Sequence, residues 1–308
     1  MKAKKNIRIS AIFLIVFIIS SCSKERIDKE TGTEYSSLDE FYINNELPEQ
    51  IFIIDTIPGD TIVGMHGTKI WGVPKEIFMK KSTYEDITYP YNLKLTEAYI
   101  IKDMIFARHQ NIAQNRVLYS SGNIRFRAFK DEDELELKEH CGLNFLAPAE
   151  TSDASMELFY GFTTETTNDW NKDVLQAGYL FSDDDVTFIA TNSYGYKAKT
   201  AKMGWVNISY KYPGPSQGTI NFAIEGTNTN LIDIYIIFND MHSYIKATNL
   251  QAVELPEDEP ITVFAIAKTT SDEMYYYKED FTTSSQTNIE LEMIPATEDE
   301  ILTIMGTL

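Results

Sequence analysis

Cysteine and histidine are both scarce in this sequence, which contains two cysteines and four histidines among 308 residues. Two cysteines cannot form a disulfide framework, so we expect the fold to depend on its apolar core. No Cys/His spacing matches a zinc site, and the sequence predicts no metal centre. His140 and Cys141 are adjacent, but neighbours on a strand point to opposite faces, so they do not indicate a catalytic dyad.

Basic residues are outnumbered, with 27 Lys and Arg against 46 Asp and Glu and a formal net charge of −19. Acid at this density repels phosphate backbones and anionic lipid surfaces. The sequence therefore predicts no nucleic-acid partner. The simplest role of the acidic residues is to keep an exported protein soluble.

Motifs for nucleotide binding and for common hydrolytic chemistry are missing. The glycines form no phosphate loop, and no Gly-x-Ser-x-Gly motif is present. The acidic runs at 131–134 and 183–185, and the stretch that begins at Asp169, lack the spacing of a calcium loop, and we expect solvated turns there. No cofactor is expected. A pair of carboxylates for glycoside hydrolysis leaves no sequence signature, so that alternative stays open.

No apolar run is long enough to cross a membrane, which needs about 20 residues. The longest N-terminal run, Ala11–Ile19, has nine residues and follows a basic start, which predicts a signal peptide at residues 1–21. The ending "ISSC" resembles the lipobox of bacterial lipoproteins, in which the cysteine is acylated. This resemblance implies a lipid anchor at Cys22 and, with Ser23 next to it, the outer membrane of the cell. The side of that membrane stays open.

The remaining chain predicts an all-β fold with two domains. Residues 22–36 are polar and predict a flexible tether. The Pro/Gly-rich stretch 212–218 predicts a boundary, giving domains at 37–213 and 214–308. Alternating apolar and polar residues predict antiparallel strands with one wet face. These segments are 92–100, 123–129, 134–140, 219–226, 232–238, 261–267 and 288–294.

Two helices are expected in addition. Ser37 and Glu40 have the spacing of a capping box, which predicts a short helix there. At the C-terminus, Thr297 and Glu300 have the same spacing, and an apolar stripe follows. The stripe contains Ile301, Ile304, Met305 and Leu308, and it predicts a short helix that docks on a sheet.

The segment "GMHGTKIWGVPKEIFM" (64–79) resembles the opening of a ZU5-type β-sandwich, with Gly64, Gly67-Thr68, Ile70, Val73-Pro74 and Phe78 in the family's places. The strands at 156–162 and 204–210 are similar to those of ZU5-like lipoproteins of Bacteroidota. The resemblance implies a ZU5-like sandwich, then an immunoglobulin-like sandwich and a short C-terminal helix. Related ZU5 domains are protein-interaction modules. Some relatives cleave themselves at His-Phe-Ser; His242-Ser243 lacks the Phe, so no self-cleavage is expected.

Tyrosines near turns, and a tryptophan in a polar stretch, are candidates for an exposed aromatic contact. Exposed rings stack on sugars or anchor a protein partner. The candidates are Tyr89, Tyr91, Trp170, Tyr194, Tyr196 and Tyr212. The alternative is that these rings line the sandwich faces and strand ends.

We therefore expect a lipid-anchored protein of the cell envelope, without catalytic activity, that binds another envelope protein through loops or an edge strand. A glycan-binding accessory role is the alternative, with the tyrosines and Trp170 as stacking surfaces. A glycan hydrolase is the third hypothesis. A flat aromatic strip would favour a glycan, an apolar patch a protein, and a deep cleft with two close carboxylates an enzyme.

Overall fold

The computed structural model of the protein describes residues 33–56, 59, 61–161, 170–172, 188–284 and 287–308. The fold is all-β, as predicted. Its described helices are α1 (Asp39–Asn44), α2 (Ile101–Phe106) and α3 (Glu298–Met305). The strands are β1 (Tyr35–Ser36), β2 (Gln50–Ile54), β3 (Ile62–Val63), β4 (Lys69–Trp71), β5 (Phe78–Lys80), β6 (Tyr91–Ala98), β7 (Ile112–Ala113), β8 (Arg116–Lys130), β9 (Asp133–Leu137), β10 (Leu143–Pro148), β11 (Glu157–Tyr160), β12 (Phe188–Asn192), β13 (Gly195–Thr200), β14 (Gly204–Lys211), β15 (Ser216–Ala223), β16 (Asp233–Phe238), β17 (Ser243–Lys246), β18 (Gln251–Pro256), β19 (Pro260–Thr269), β20 (Met274–Thr282), β21 (Thr287–Glu290) and β22 (Ile294–Ala296).

The first sandwich packs an eight-stranded sheet on a five-stranded sheet. The larger sheet has the order β11-β14-β8-β6-β2, with β9 and β7 paired to β8 and β5 paired to β9. The smaller sheet has the order β12-β13-β10-β4-β3. Phe126 and Phe145 are both fully buried, with ring centroids 5.0 Å apart, and they join the two sheets across the core. Alternation of apolar and polar residues in β8 and β10 supplies this inner face.

The second sandwich is smaller and packs a six-stranded sheet on a three-stranded sheet. The first has the order β17-β16-β19-β20-β22 with β1 paired to β19, and the second has the order β18-β15-β21. Its core contains Ile220 and Phe222 from one sheet and Ile236 and Val263 from the other. The long β19 has apolar residues on both faces, because its sheet is covered on both sides.

The helices form a third layer on the outer face of the six-stranded sheet. Phe41 of α1, Met104 of α2 and Ile301 of α3 are buried in one cluster with Phe264 and Ile266 of β19. Helix α2 follows directly after β6 of the first sandwich, so this cluster ties the two sandwiches together. The sequence pattern did not predict α2.

The N-terminal boundaries differ from those predicted. Tyr35, assigned to the flexible tether, is buried, and its hydroxyl donates to Glu225 O at 3.3 Å. Tyr35 and Ser36 pair with Thr269 and Lys268 of β19. Residues 37–45, assigned to the first domain, pack on the second sandwich through α1. Burial of the aromatic rings of this segment explains the difference.

The C-terminal helix is confirmed with its capping box. Thr297 N donates to Glu300 Oε2 at 2.8 Å, and Glu300 N donates to Thr297 Oγ1 at 3.3 Å. Ile301 and Met305 are buried as predicted. The helix predicted after Ser37 also forms, but its capping box is wrong, because Ser37 Oγ bonds with Asp39 rather than Glu40.

The predicted strands are present, but several differ in extent. The segments predicted at 92–100 and 219–226 end at Ala98 and Ala223. The segment predicted at 134–140 ends at Leu137, and His140 lies in a turn with φ +60°. The segment predicted at 288–294 is divided between β21 and β22. The acidic run at 131–134 crosses the turn between β8 and β9, where Asp131 has φ +54°, as the prediction of a solvated turn requires. The run at 183–185 lies outside the described residues.

Candidate functional site

The described residues line a cleft of about 1320 Å³ that is open to solvent and lies where the two sandwiches meet. One side comes from the first sandwich, with residues 148–156 and the end of the β12–β13 hairpin. Another comes from the turn that carries His66. The floor lies at Ser120 and Ser121 of β8, and His242 enters from the second sandwich.

A β-bulge shapes the floor of the cleft. Strand β14 pairs Asn207 with Asn123 and Ser209 with Ser120, so two residues of β8, Ser121 and Gly122, stand opposite one residue of β14. Bulges redirect side chains and are frequent beside functional sites. This bulge places Ser120 and Ser121 at the cleft.

Gly122 is required at this bulge for two reasons. Its φ is +133°, a conformation that residues with a Cβ rarely adopt. A Cβ there would lie 2.4 Å from Cδ1 of Tyr99, which also lines the cleft. The Tyr99 hydroxyl in turn lies 2.7 Å from Thr68 Oγ1.

A buried carboxylate holds the turn that carries His66. Glu97 is 3% exposed and accepts hydrogen bonds from His66 N at 2.9 Å, Thr68 N at 2.9 Å and Gln50 Nε2 at 2.8 Å. A Cβ on Gly64 would lie 2.6 Å from Glu97 Oε2. Gly64 and Thr68 both belong to the ZU5-like motif. Glycine at 64 leaves space for the Glu97 carboxylate, and the backbone N–H of Thr68 donates a hydrogen bond to it.

His242 joins the cleft to the second sandwich. Its Nδ1 lies 3.1 Å from Ser120 O, and its backbone is left-handed with φ +48°. Burial lowers the pKa of His242, partly opposed by this hydrogen bond. The imidazole is therefore neutral near pH 7, and because a carbonyl only accepts, Nδ1 carries the proton.

Two of the predicted aromatic residues lie in this cleft. Tyr194 is 73% exposed at the tip of the β12–β13 hairpin, and its backbone N–H donates to Asn192 Oδ1 at 2.7 Å. Tyr196 is buried, and its hydroxyl accepts from Asp153 N at 2.8 Å. Tyr196 therefore holds the 148–156 segment, whereas Tyr194 presents its ring to solvent.

The other four predicted aromatic residues lie elsewhere and do not form an exposed strip. Tyr91 is buried and donates to Val73 O, and Tyr89 is half-buried and stacks on it at 6.0 Å. Trp170 is 1% exposed, and its Nε1 donates to Gln110 O at 2.8 Å. Tyr212 is buried beside Tyr119. The polar groups of Trp170 and Tyr91 find partners inside the protein, which allows these rings to be buried.

Three tyrosines with nearly parallel rings do form a row, but their rings stack face to face on one another. Tyr119 lies between Tyr210 at 4.5 Å and Tyr212 at 6.3 Å, with interplanar angles of 10° and 20°. The rings cover each other's faces. A sugar would therefore meet ring edges along this row rather than a flat platform.

The chemistry of the cleft is that of hydroxyl groups with a few acids and imidazoles. Its described lining includes hydroxyls from serine, threonine and tyrosine, the carboxylates of Glu150 and Asp153, and the rings of His66 and His242, with no lysine or arginine. Hydroxyls and neutral imidazoles both donate and accept hydrogen bonds, whereas the carboxylates only accept them. Asp153 Oδ1 accepts from Ser155 N at 2.7 Å and so stabilises its own turn.

Sequence reasoning missed His66 and His242 as site residues, because each is isolated along the chain. Only tertiary packing brings them to one cleft. Gly122 was the one indication of the site in the sequence, because an isolated glycine within a strand pattern indicates a bulge, and bulges are frequent beside functional sites.

Other predicted sites fall outside the described residues or show no cluster. Cys22 is not among the described residues. Cys141 is half-buried and has a free thiol. Within the described ranges, no group of three or more His, Cys, Asp and Glu side chains is placed to hold a metal ion.

No described helix is long and apolar enough to span a bilayer. The resemblance to ZU5-like lipoproteins stays a prediction. The chain matches no protein-family model, no curated protein and no solved structure.

Proposed function

We propose that this protein is a lipid-anchored, non-catalytic binding protein of the cell envelope, and that its cleft binds a glycan. The observation that carries the proposal is the composition of the cleft, which is lined by hydroxyl-bearing side chains together with an exposed tyrosine ring. The sequence favoured a protein partner over a glycan. For this cleft, the geometry favours the glycan.

Sugars present many hydroxyls that need both donors and acceptors, together with C–H faces that pack on aromatic rings. The hydroxyl of Ser121 can both donate and accept hydrogen bonds, and Tyr194 supplies a ring held at a hairpin tip. The lack of lysine and arginine in the described lining disfavours phosphate or strongly anionic ligands. A neutral glycan fits this pattern best.

The volume of the cleft supports binding of a glycan chain rather than of an enclosed small molecule. Small-molecule sites bury most of the ligand in about 300–1,000 Å³. This cleft exceeds that range at about 1320 Å³ and is open to solvent. An open site of this volume can hold several sugar units of a longer glycan.

Binding without hydrolysis is supported by the use of the acids. Glycosidases need one carboxyl group to transfer a proton and a second, about 5–9.5 Å away, to act as nucleophile or base. Asp153 already accepts a hydrogen bond from its own turn, and Glu150 is exposed on the surrounding segment. Both carboxylates are exposed to solvent, whereas the general acid of a glycosidase lies in a desolvated site.

The lipid anchor would raise the local concentration of the cleft at the envelope. Two or more acyl chains hold a protein stably at a membrane, at about 0.8 kcal/mol per buried methylene. Confinement to a surface then makes weak binding sites effective. This part of the proposal rests on the lipobox-like sequence that ends at Cys22.

A glycan array tests the proposal. The full chain in detergent is expected to bind neutral polysaccharides, and Tyr194→Ala is expected to weaken that binding at least tenfold. Tyr84→Ala removes another exposed tyrosine, 53% exposed and outside the cleft lining, and serves as the matched control. Binding to no glycan, or equal loss in both variants, would contradict the proposal.

A further inference from the structure

Two edge strands of the first sandwich lie on the same side of the molecule. Strand β2 is the last strand of the eight-stranded sheet, and β3 is the last strand of the five-stranded sheet. Met65, just after β3, donates its backbone N–H to Gln50 Oε1 at the start of β2, at 2.7 Å. The two edges therefore border one opening of the sandwich.

This opening is apolar and exposed. Ile51 and Ile53 of β2 are 58% and 71% exposed, and Val63 and Met65 are 54% and 69% exposed. Between them, Phe52 and Ile62 are only partly buried against the core. We call the side chains of these six residues, together with the edge of β2 that pairs with no described strand, the edge patch.

Proteins normally protect such an edge. Charged residues, prolines and bulges keep edge strands from pairing with other chains. Strand β2 reads Gln-Ile-Phe-Ile-Ile and has none of these, and its pairing with β6 is regular. The unprotected edge, next to the partly buried Phe52 and Ile62, is the geometry that an added strand completes.

We propose that the edge patch binds an extended segment of another protein, which adds a strand beside β2. On one face the segment would cover Ile51 and Ile53. On the other face it would cover the exposed parts of Phe52 and Ile62. The segment must therefore be apolar on both faces, with about five consecutive β-branched or aromatic residues rather than the usual alternation.

Charge determines what flanks this segment. Glu46 lies before β2 and Asp55 directly after it, and both are exposed. On the neighbouring strands, Lys94 and Arg127 are paired with Glu49 at 2.8 and 3.5 Å, and the partly buried Arg125 interacts with both Glu49 and the exposed Glu46. An added strand would meet negative charge at both ends, so lysine or arginine is expected to flank the apolar residues.

The same charges argue against a second copy of this chain as the occupant. Antiparallel pairing of β2 with β2 would bring Glu46 of one copy near Asp55 of the other. Parallel pairing would bring like residues together. Both arrangements place acid against acid in a chain of net charge −19. A partner protein with a basic-flanked strand has the matching charge.

This inference is independent of the ligand of the cleft. A peptide-binding experiment on the full chain in detergent tests it, with fluorescence anisotropy as the readout. The probe is Lys-Lys-Val-Ile-Val-Ile-Val-Lys-Lys. One comparison peptide replaces every lysine by glutamate, and another replaces the central valine by proline, which cannot complete the strand ladder.

The lysine-flanked peptide is expected to bind and to slow amide exchange within Gln50–Ile54, and both comparison peptides are expected to bind at least tenfold more weakly. The Ile53→Lys variant is expected to bind the lysine-flanked peptide at least tenfold more weakly than the unaltered chain does. Val253→Lys is the matched control, because Val253 is 53% exposed on the edge strand β18 of the other sandwich. This control is expected to bind like the unaltered chain.

Several results would overturn the inference. Equal binding by Ile53→Lys, or equal binding of the proline peptide, would exclude strand addition at β2. Equal binding of the glutamate-flanked peptide would exclude the charge requirement. A dimer in light scattering that Ile53→Lys abolishes would make a second copy the occupant. Glycan binding, measured in the same Ile53→Lys variant, reports on the cleft separately.

Discussion

The carboxylate of Glu97 accepts a hydrogen bond from the backbone N–H of His66 at 2.9 Å, inside the first sandwich and away from water. This contact fixes one side of the cleft. A carboxylate is suited to the position because it accepts from three donors at once, those of Gln50, His66 and Thr68.

Glu97→Gln is expected to destabilise the fold by about 1–3 kcal/mol, because the amide nitrogen would face a backbone donor and leave it unpaired. Urea unfolding measures the change. Glu139→Gln removes an exposed carboxylate and is expected to change stability by less than about 0.5 kcal/mol. A Glu97→Gln variant as stable as the control would show that the carboxylate is not needed.

Gly122→Ala is expected to destabilise the protein by about 1–3 kcal/mol, since the positive φ and the contact with Tyr99 both disfavour a Cβ. Glycan binding should weaken along with stability, because the bulge positions the floor of the cleft. Gly59→Ala is the control, as nothing lies within 4 Å of a Cβ there. Equal stability of the two variants would contradict the role given to the bulge.

Because of the buried His109, the protein is expected to become less stable to unfolding in mild acid. Burial, and then the charge of Arg125, lower its pKa from 6.5 to about 4. Between these values the unfolded chain binds more protons than the folded chain, so the stabilisation is complete above pH 6.5 and is lost as the pH falls toward 4. From pH 7 to pH 5 this histidine alone is expected to cost about 2 kcal/mol.

Urea unfolding of His109→Leu at both pH values tests this, and the variant is expected to lose about 2 kcal/mol less than the unaltered chain on going to pH 5. His140→Asn is the control, because His140 is exposed and asparagine tolerates its left-handed backbone. An unchanged pH dependence in His109→Leu would contradict the assignment.

The Cys22→Ala variant is expected to move from the membrane fraction to the soluble fraction. In mass spectrometry, its mass is expected to lack the contribution of the acyl chains. The physical reason is the loss of every buried lipid methylene. Cys141→Ala should stay with the membranes. If Cys22→Ala sediments with the membranes like the unaltered chain, the lipid anchor is not at this residue.

The strands and the C-terminal helix could be predicted because their signals are local. Period-two alternation in 123–129 and 261–267 reports which face is covered, and Thr297 with Glu300 marks the helix start within one turn. Helix α2 was missed, because its six residues make fewer than two turns, and Lys102 and Asp103 are too few polar positions to reveal a helical period.

The cleft could not be predicted, because its residues come from distant parts of the chain. Most of the first sandwich, and strands β15 and β16 of the second, lie between His66 and His242 in the sequence. Trp170 lies in a polar stretch of sequence, yet it is buried because Gln110 O accepts from its indole N–H. Exposure of an aromatic residue depends on such tertiary partners, and the same holds for the buried Tyr91 and Tyr212.

The most direct test of the central claim is amide hydrogen exchange of the full chain in detergent, with and without the glycan that binds best on the array. If the cleft is the binding site, exchange slows in 148–156, 193–196 and 120–122, and Tyr194→Ala abolishes the slowing at the same glycan concentration. If these segments are unchanged while exchange slows elsewhere, for example at 89–91 or 210–212, the cleft is not the glycan site.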